Sequence, residues 1–206
     1  MSLEESYIYH VYNRGNNSDR IFFQPRNYEY FMVKMKKHIA PQCNLLAFCL
    51  MPNHFHFLVQ ATKRSLTKVK SAHIEMNHFS KGLKDLLGGY TKGINSQEHR
   101  TGSLFTKSTR IKKTQDWTLN LDYSTACFNY IHQNPLRAGL VTNLKEWVFS
   151  SYHEFLSRRQ NGLCNIKIAM ALIDMEWSNF ELISHQLTEF DGENLSLVWH
   201  AHTTSF

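Results

Sequence analysis

The chain has 206 residues, of which 42% are hydrophobic and 13% aromatic, and its 19% of charged residues form no long block of one sign, so the composition excludes extensive disorder. The formal net charge is +6. The positive charge lies in the body of the chain, because residues 170–206 contain several acids but no Lys or Arg. A basic body is typical of nucleic-acid-binding proteins, although a net charge of +6 also occurs in many other soluble proteins. The sequence has no Cys-x-x-Cys pair, no apolar N-terminal run and no stretch of about 18 apolar residues, so we expect a cytoplasmic protein with reduced cysteines, without a zinc cage, secretory signal or membrane span.

The first part of the chain predicts three strands and one helix. Residues 6–13 alternate between polar and apolar side chains, which indicates a strand. Residues 26–39 place apolar side chains at helical spacing with lysines opposite, which indicates a helix. Residues 43–50 and 54–60 are apolar and are separated by a Met-Pro-Asn turn, residues 51–53, so they are predicted to pair as a β-hairpin.

The middle of the chain is less regular. Residues 65–88 partly fit a helical apolar stripe, and Gly88-Gly89 would end that helix. Residues 90–102 are rich in Gly, Asn, Ser and Lys and are interpreted as a mobile loop. Residues 103–105 are predicted to open a short strand that runs into a basic stretch.

The last predicted elements are helical. Residues 118–133 are predicted to form a helix that Pro135 stops, and residues 145–206 resemble a cap of short helices. The order strand, helix, strand, strand, helix, strand, helix favours an α+β fold in which an antiparallel sheet carries helices on one face.

The most informative local motif is His54-Phe55-His56. Residues i and i+2 of a strand point to the same face, so both imidazoles project together while Phe55 turns to the other side. Two imidazoles on one face can share a divalent metal ion. The alternative is a pair of exposed strand histidines without a ligand, and the other histidines, including His10, are interpreted as structural or solvent-facing.

The helix before Pro135 contains a second motif. Tyr130 and Asn134 are four residues apart, so they share a helix face if the helix reaches Asn134. Asn134 precedes a proline, which pushes it away from helical angles and leaves its amide free to aim. An amide oxygen is a ligand suited to Mg²⁺ or Mn²⁺, and Gln133 is a rival ligand. The alternative for Tyr130 is an ordinary tyrosine of an amphipathic helix.

These two motifs together indicate phosphodiester chemistry. A tyrosine with an ordinary pKa near 10 is a poor nucleophile at pH 7. A divalent ion held by two imidazoles and an amide can polarise a phosphate oxygen and stabilise the leaving 3′-oxygen. The tyrosine can then form a covalent phospho-enzyme, which divides one difficult step into two.

Basic residues near the last predicted strand are candidate contacts for the phosphate backbone of DNA. An ordinary solvated strand edge explains them equally well. The candidate DNA-binding residues are Arg14, Lys107, Arg110, Lys112 and Lys113.

Three motifs in this order resemble the single-tyrosine transposases, and most closely the REP-associated tyrosine transposases. The motifs are residues 9–15 (YHVYNRG), 51–59 (MPNHFHFLV) and 130–141 (YIHQNPLRAGLV). The resemblance covers about residues 6–155, so we expect a transposase-like catalytic domain over 6–155 and a helical C-terminal extension over 156–206.

The resemblance implies a ferredoxin-like fold, a metal site at His54 and His56, and a catalytic tyrosine at Tyr130. The third ligand of related transposases lies four residues after the tyrosine, here Asn134. Family members cleave single-stranded DNA near DNA hairpins and leave a 5′-phosphotyrosine and a free 3′-hydroxyl, and many form homodimers. This chain departs from the family at residues 102–108 (GSLFTKS), where relatives often have a Gly-Arg pair, and the departure bears on DNA contacts there.

The sequence therefore predicts a metal-dependent endonuclease and strand transferase acting on single-stranded or hairpin DNA. Two other hypotheses remain. The chain could bind DNA hairpins without cleaving them, or it could hydrolyse DNA with an activated water while Tyr130 is structural. The role of Tyr130 separates the three.

Overall fold

The computed structural model describes residues 3–71, 74–116, 121–158 and 161–186. The strands, in chain order, are β1 (Ile8–Arg14), β2 (Cys43–Met51), β3 (His54–Ala61), β4 (Lys68–Ser71), β5 (Ile74–Asn77), β6 (Arg110–Lys113), β7 (Gln115–Asp116) and β8 (Leu121–Asp122). The α-helices are α1 (Pro25–His38), α2 (Lys63–Leu66), α3 (His78–Gln97), α4 (Ser124–Arg137), α5 (Tyr152–Leu156), α6 (Ile166–Leu172) and α7 (Phe180–His185).

The central sheet has four strands in the order β2-β3-β1-β6, and every neighbouring pair is antiparallel. Two further antiparallel ribbons, β4–β5 and β7–β8, lie outside it. The core order β1-α1-β2-β3-α3-β6 with this strand order is the ferredoxin-like arrangement. The predicted α+β fold class and the predicted β2–β3 hairpin are confirmed.

One face of the central sheet is apolar and packs against α1 and α3. Phe31 of α1 lies 5.5 Å from the Phe55 ring and 6.4 Å from the Phe57 ring, measured between centroids. Tyr90 of α3 packs edge-on against Phe31 at 4.9 Å. All four side chains are fully buried, so this face forms the main hydrophobic core.

Helix α4 packs on the opposite face of the sheet. Its Tyr130 ring lies edge-on to His10 of β1 and His56 of β3, and these histidines alternate along their strands with the apolar residues of the first face. The prediction of helices on one face therefore holds for α1 and α3 but not for the helix that carries the tyrosine.

The predicted helix over residues 65–88 is confirmed for residues 78–88 but is wrong for most of the preceding segment. The segment forms the short helix α2 and the ribbon β4–β5, and α3 then begins at His78 and continues through Gly88-Gly89 to Gln97. Asn77 caps α3 by accepting a hydrogen bond from the Ser80 amide at 2.7 Å. The predicted loop over 90–102 is consequently wrong for its first eight residues, which are helical.

Gly88-Gly89 does not end α3, and two other glycines of this helix serve close packing rather than chain reversal. A Cβ at Gly82 would overlap the backbone carbonyl of His38, and one at Gly93 would lie 3.0 Å from the Tyr30 ring. Glycine is needed at such positions since any side chain would push α3 away from α1.

Two smaller predictions also fail. Residues 103–105 form no strand, and Phe105 makes only an isolated bridge with Gly15. Pro135 does not stop α4, which continues to Arg137, because a proline in the last turn removes only one helical hydrogen bond. Residues 118–120 of the predicted helix lie outside the described residues.

The C-terminal helices pack onto the sheet and onto α4. The Asn165 amide donates to the Leu45 carbonyl of β2 at 2.8 Å, and buried Phe180 of α7 contacts Phe128 of α4 with ring centroids 6.3 Å apart. Residues 187–206 of the predicted extension lie outside the described residues. Within the part of the chain that the structure describes, no helix is both long and apolar enough to cross a bilayer.

Candidate functional site

The register between β1 and β3 brings the polar side chains of both strands to one face. Arg14 lies opposite His54, and Tyr12 lies opposite His56. Because the side chains of a strand alternate, His10 shares this face with Tyr12. The antiparallel pairing thereby places the predicted metal ligands His54 and His56, the predicted DNA contact Arg14 and the polar rings of His10 and Tyr12 on one face of the sheet.

His54 and His56 form a compact and oriented pair. Their ring centroids are 4.9 Å apart with planes at 84°, and the residues are only 5% and 0% exposed. His54 Nδ1 lies 2.7 Å from the Asn53 side-chain oxygen, and His56 Nδ1 lies 2.8 Å from His10 Nε2. Each histidine is therefore held through Nδ1, the arrangement that directs Nε2 of a metal-binding histidine at the ion.

His10 is a component of the site that the sequence interpretation did not assign. Burial, with a smaller contribution from nearby Lys112, lowers the pKa of His10 to about 3. The ring is therefore neutral and can exchange a hydrogen bond with His56 without adding charge. The available signal was the His10-Val11-Tyr12 alternation on the first strand, but only the register places that strand beside the metal pair.

Tyr130 lies against these histidines and is fully buried. Its ring centroid is 5.7 Å from that of His56 and 6.4 Å from that of His10, with both contacts edge-on. Burial raises the pKa of Tyr130 above its ordinary value, while the charge of Arg137 and a hydrogen bond with Asn134 act in the opposite direction. The phenol is therefore protonated at neutral pH unless positive charge is added beside it.

The two candidate amide ligands differ in their surroundings. Asn134 is fully buried and donates from its amide nitrogen to the Tyr130 carbonyl at 2.8 Å. Gln133 donates to the carbonyls of Ser184 and Gln186 at 3.0 and 2.9 Å and accepts from Arg137 at 2.9 Å. Gln133 is thus committed to the C-terminal helices, and Asn134 is the amide next to the tyrosine. The prediction that Asn134 lies free at the helix end is wrong, since it sits within α4.

The same sheet face opens into a cationic groove. Its volume is about 470 Å³, and no carboxylate is among the described residues that line it. Tyr12 and His54 form part of the wall, and Asn13 holds the neighbouring segment by donating to Thr109 Oγ1 at 3.0 Å and accepting from Thr106 Oγ1 at 2.6 Å. Four of the five predicted DNA contacts line this groove: Arg14, Lys107, Arg110 and Lys112.

Lys113 is the predicted DNA contact that the structure places elsewhere. It follows Lys112 on β6 and therefore points to the opposite face of the sheet. Its ammonium lies 2.9 Å from a Glu4 carboxylate oxygen and 3.4 Å from the centroid of the Tyr7 ring. Its charge is already matched there, and the groove does not include it.

The donor set of the site fits a divalent ion only in part. Across the described ranges, no three or more His, Cys, Asp or Glu side chains are grouped so as to hold a metal. His54 and His56 supply two oriented imidazoles, and Asn134 is the neighbouring amide. Such a neutral set leaves coordination positions for phosphate oxygens.

Comparisons with known proteins support the resemblance seen in the motifs. No family model matches the chain. A curated protein of Haemophilus influenzae, named "Putative REP-associated tyrosine transposase", is 26% identical over 112 residues, and the match covers 52% of this chain and 58% of that protein. The chain is thus aligned with less than two thirds of that relative's length.

A solved structure described as a REP-associated tyrosine transposase bound to a REP hairpin has the same fold. It superposes with a TM-score of 0.57 at 13% identity, over 79% of this chain and 87% of that one. The resemblance of this chain to the REP-associated tyrosine transposases is therefore confirmed in sequence and in fold.

Proposed function

We propose that this chain is a metal-dependent endonuclease and strand transferase for single-stranded DNA next to DNA hairpins, and that it forms a 5′-phosphotyrosine at Tyr130. The observation that carries the proposal is the packing of Tyr130 against His56, 5.7 Å between ring centroids, on the face that opens into the cationic groove. The proposed nucleophile, the proposed ligand pair and the proposed phosphate-binding surface thus belong to one face of the sheet.

The proposed reaction is a transesterification. The Tyr130 hydroxyl oxygen attacks the phosphorus, the bond between phosphorus and the 3′-oxygen breaks, and the departing oxygen takes its electron pair and a proton to become a free 3′-hydroxyl. The phosphate remains on Tyr130 with the 5′ side of the DNA. A 3′-hydroxyl that later attacks this phosphotyrosine rejoins the strand and releases the phenol.

His54 and His56 are the proposed ligands for Mg²⁺ or Mn²⁺, with Asn134 as the third. When bound, the ion would withdraw charge from the phosphate and favour the ionised phenol. The need for it follows from Tyr130 itself, because burial raises the pKa of the phenol. His10 and Asn53 hold the two imidazoles in position.

The DNA strand is proposed to lie in the cationic groove. Arg14 and Lys107 are exposed at the edge of the groove. Lys112 is partly buried beside Arg110, and its burial and the nearby positive charge of Arg110 both lower the pKa of Lys112. Concentrated positive charge without a carboxylate suits a phosphate backbone. Half-buried Tyr12 in the wall offers a ring on which an unpaired base can stack.

Tyr130 and the histidine pair meet within one chain, so we propose that the tyrosine acts on the phosphate held by its own subunit. The family resemblance supports a homodimer, and we propose that each subunit of it contains a complete active site of its own. Mixing Tyr130→Phe protein with His56→Ala protein tests this point. Cleavage in trans would restore the covalent product in the mixture, whereas action within one subunit would not.

The main experiment incubates hairpin oligonucleotides with single-stranded extensions and Mg²⁺ or Mn²⁺, followed by a denaturing gel. The parent protein is expected to give a slowly migrating covalent adduct, and Tyr130→Phe is expected to give none. Tyr152→Phe is the matched control, because Tyr152 is also fully buried and its hydroxyl has no hydrogen-bond partner among the described residues. Cleavage that persists in Tyr130→Phe would instead identify a water nucleophile.

A second candidate function is binding of DNA hairpins without cleavage. Its supporting observation is that the Tyr130 side chain is completely buried, so the hydroxyl needs a local opening to reach a phosphate. Hairpins that bind without any adduct or cleavage, with either metal, would establish this alternative.

A further inference from the structure

A second groove lies on the other side of residues 103–109. It runs between this segment and one side of α3 and encloses about 620 Å³. Asn13, Thr106 and Lys107 line both this groove and the cationic groove beside His54. The two grooves are thus neighbours separated by the ridge that carries Lys107.

The second groove is also positively charged. Lys84 and Lys92 project from α3, Lys107 lies across from them, and the described part of the chain contributes no carboxylate to the lining. Within the described ranges none of these three lysines is ion-paired, in contrast to Lys81 on the same helix, which pairs with Asp85. Lys84 and Lys92 are eight residues apart, about 12 Å along the helix axis.

Gly88 lies between the two lysines and has no packing role. A Cβ there would meet no atom within 4 Å, unlike those at Gly82 and Gly93, which face α1. A glycine within a helix is less favourable than an alanine. Its absent side chain leaves a low, open floor between Lys84 and Lys92, where another backbone can approach α3 closely.

We propose that this second groove binds the phosphate backbone of duplex DNA, specifically the hairpin stem that adjoins the single strand in the first groove. The inference rests on the proposed function and extends it by giving the double-stranded part of the substrate its own surface. Lysines bind phosphates as point charges, and a phosphate contact carries no information about the base sequence. The shared Lys107 then lies at the junction between stem and single strand.

The test compares Lys84→Gln/Lys92→Gln protein with the parent in fluorescence anisotropy, over a series of salt concentrations. The probes are a DNA hairpin with a single-stranded 5′ extension and that extension alone. Loss of two phosphate contacts should lower the slope of log affinity against log salt by about 2 for the hairpin. Affinity for the extension alone should not change.

Matched variants remove the effect of net charge. Lys36→Gln/Lys167→Gln makes the same charge change at exposed lysines of α1 and α6 and should leave both probes unaffected. Gly88→Glu puts a carboxylate on the floor of the groove, where the backbone tolerates a side chain, and should weaken hairpin binding more than Gly88→Gln does.

The outcomes separate this inference from the proposed function. An equal salt slope for the Lys84/Lys92 variant and its control would overturn the duplex groove while leaving adduct formation at Tyr130 intact. Equal losses on both probes would also overturn it, because the groove would then hold single strand. A parent protein that binds neither probe would overturn the inference and the proposed function together.

Discussion

The two faces of the central sheet use the same strands for different purposes. Phe55 and Phe57 of β3 turn to α1 and α3, whereas His54 and His56, one residue away, turn to α4. All four are at most 5% exposed, so burial alone does not distinguish core from site. The difference lies in what surrounds each ring.

On the apolar face Phe55 and Phe57 pack against each other and against Phe31, while on the polar face the buried rings are linked by hydrogen bonds. His56 is held by His10 and His54 by Asn53. Buried polar groups are stable when their partners are in place. The comparison therefore predicts that substitutions on the apolar face reduce stability and that those on the polar face reduce ligand binding and reaction.

The largest expected effect is on the apolar face. Phe57→Ala should lower the free energy of unfolding by about 3–5 kcal/mol, because it leaves a cavity against Phe31 and Phe55. Urea unfolding followed by circular dichroism measures this loss. The affinity of the folded variant for Mn²⁺ should stay unchanged. A selective loss of metal binding would contradict the prediction that the apolar face contributes only to stability.

On the polar face, His10→Ala should weaken binding of Mn²⁺ by about 10- to 100-fold, because His56 loses the ring that orients it. Isothermal titration calorimetry gives the affinity. Val11→Ala is the control, since Val11 is the next residue of β1 and faces the other side. Equal affinities in parent and His10→Ala would show that the orientation of His56 does not depend on His10.

Acid should weaken the protein through His132 of α4, whose Nε2 lies 2.7 Å from Ser151 Oγ. Burial lowers the pKa of His132 from 6.5 to about 3, so between these values the unfolded chain binds the extra proton. The free energy of unfolding should fall by about 1.4 kcal/mol per pH unit as the pH drops from 6.5 towards 3 on this account.

The check is urea unfolding of metal-free protein at several pH values. His132→Gln should show a shallower pH dependence than the parent, while His99→Gln at an exposed position should match the parent. An unchanged slope in His132→Gln would place the acid sensitivity in other groups.

The smallest effect is expected at the sheet edge, where adjacent lysines face opposite sides. Lys112→Gln should lower the salt slope for single-stranded DNA by about 0.7, the contribution of one phosphate contact. Lys113→Gln should leave it unchanged and cost little stability, because its ion pair with Glu4 lies at the surface and is screened by solvent. Equal slopes for both variants would contradict the assignment of one lysine to each face.

Local patterns predicted a large part of the fold and the main chemical groups. Strand alternation indicated that His54 and His56 share a face, and helical spacing indicated a helix carrying Tyr130; both depend on residues close in sequence. The β2–β3 hairpin followed from its short turn in the same way. The boundaries of α3 and α4 did not follow, since the glycines and Pro135 acquire their meaning only from packing partners and position in the helix.

The sequence by itself therefore determined which residues could perform chemistry and on which elements they lie, because one strand or helix sets the direction of its own side chains. Only the tertiary structure decided that His10 supports His56, that Lys112 and not Lys113 lines the cationic groove, and that Asn134 and not Gln133 stays beside Tyr130. These choices depend on strand register and on helix packing between segments far apart in the chain, which no local periodicity encodes.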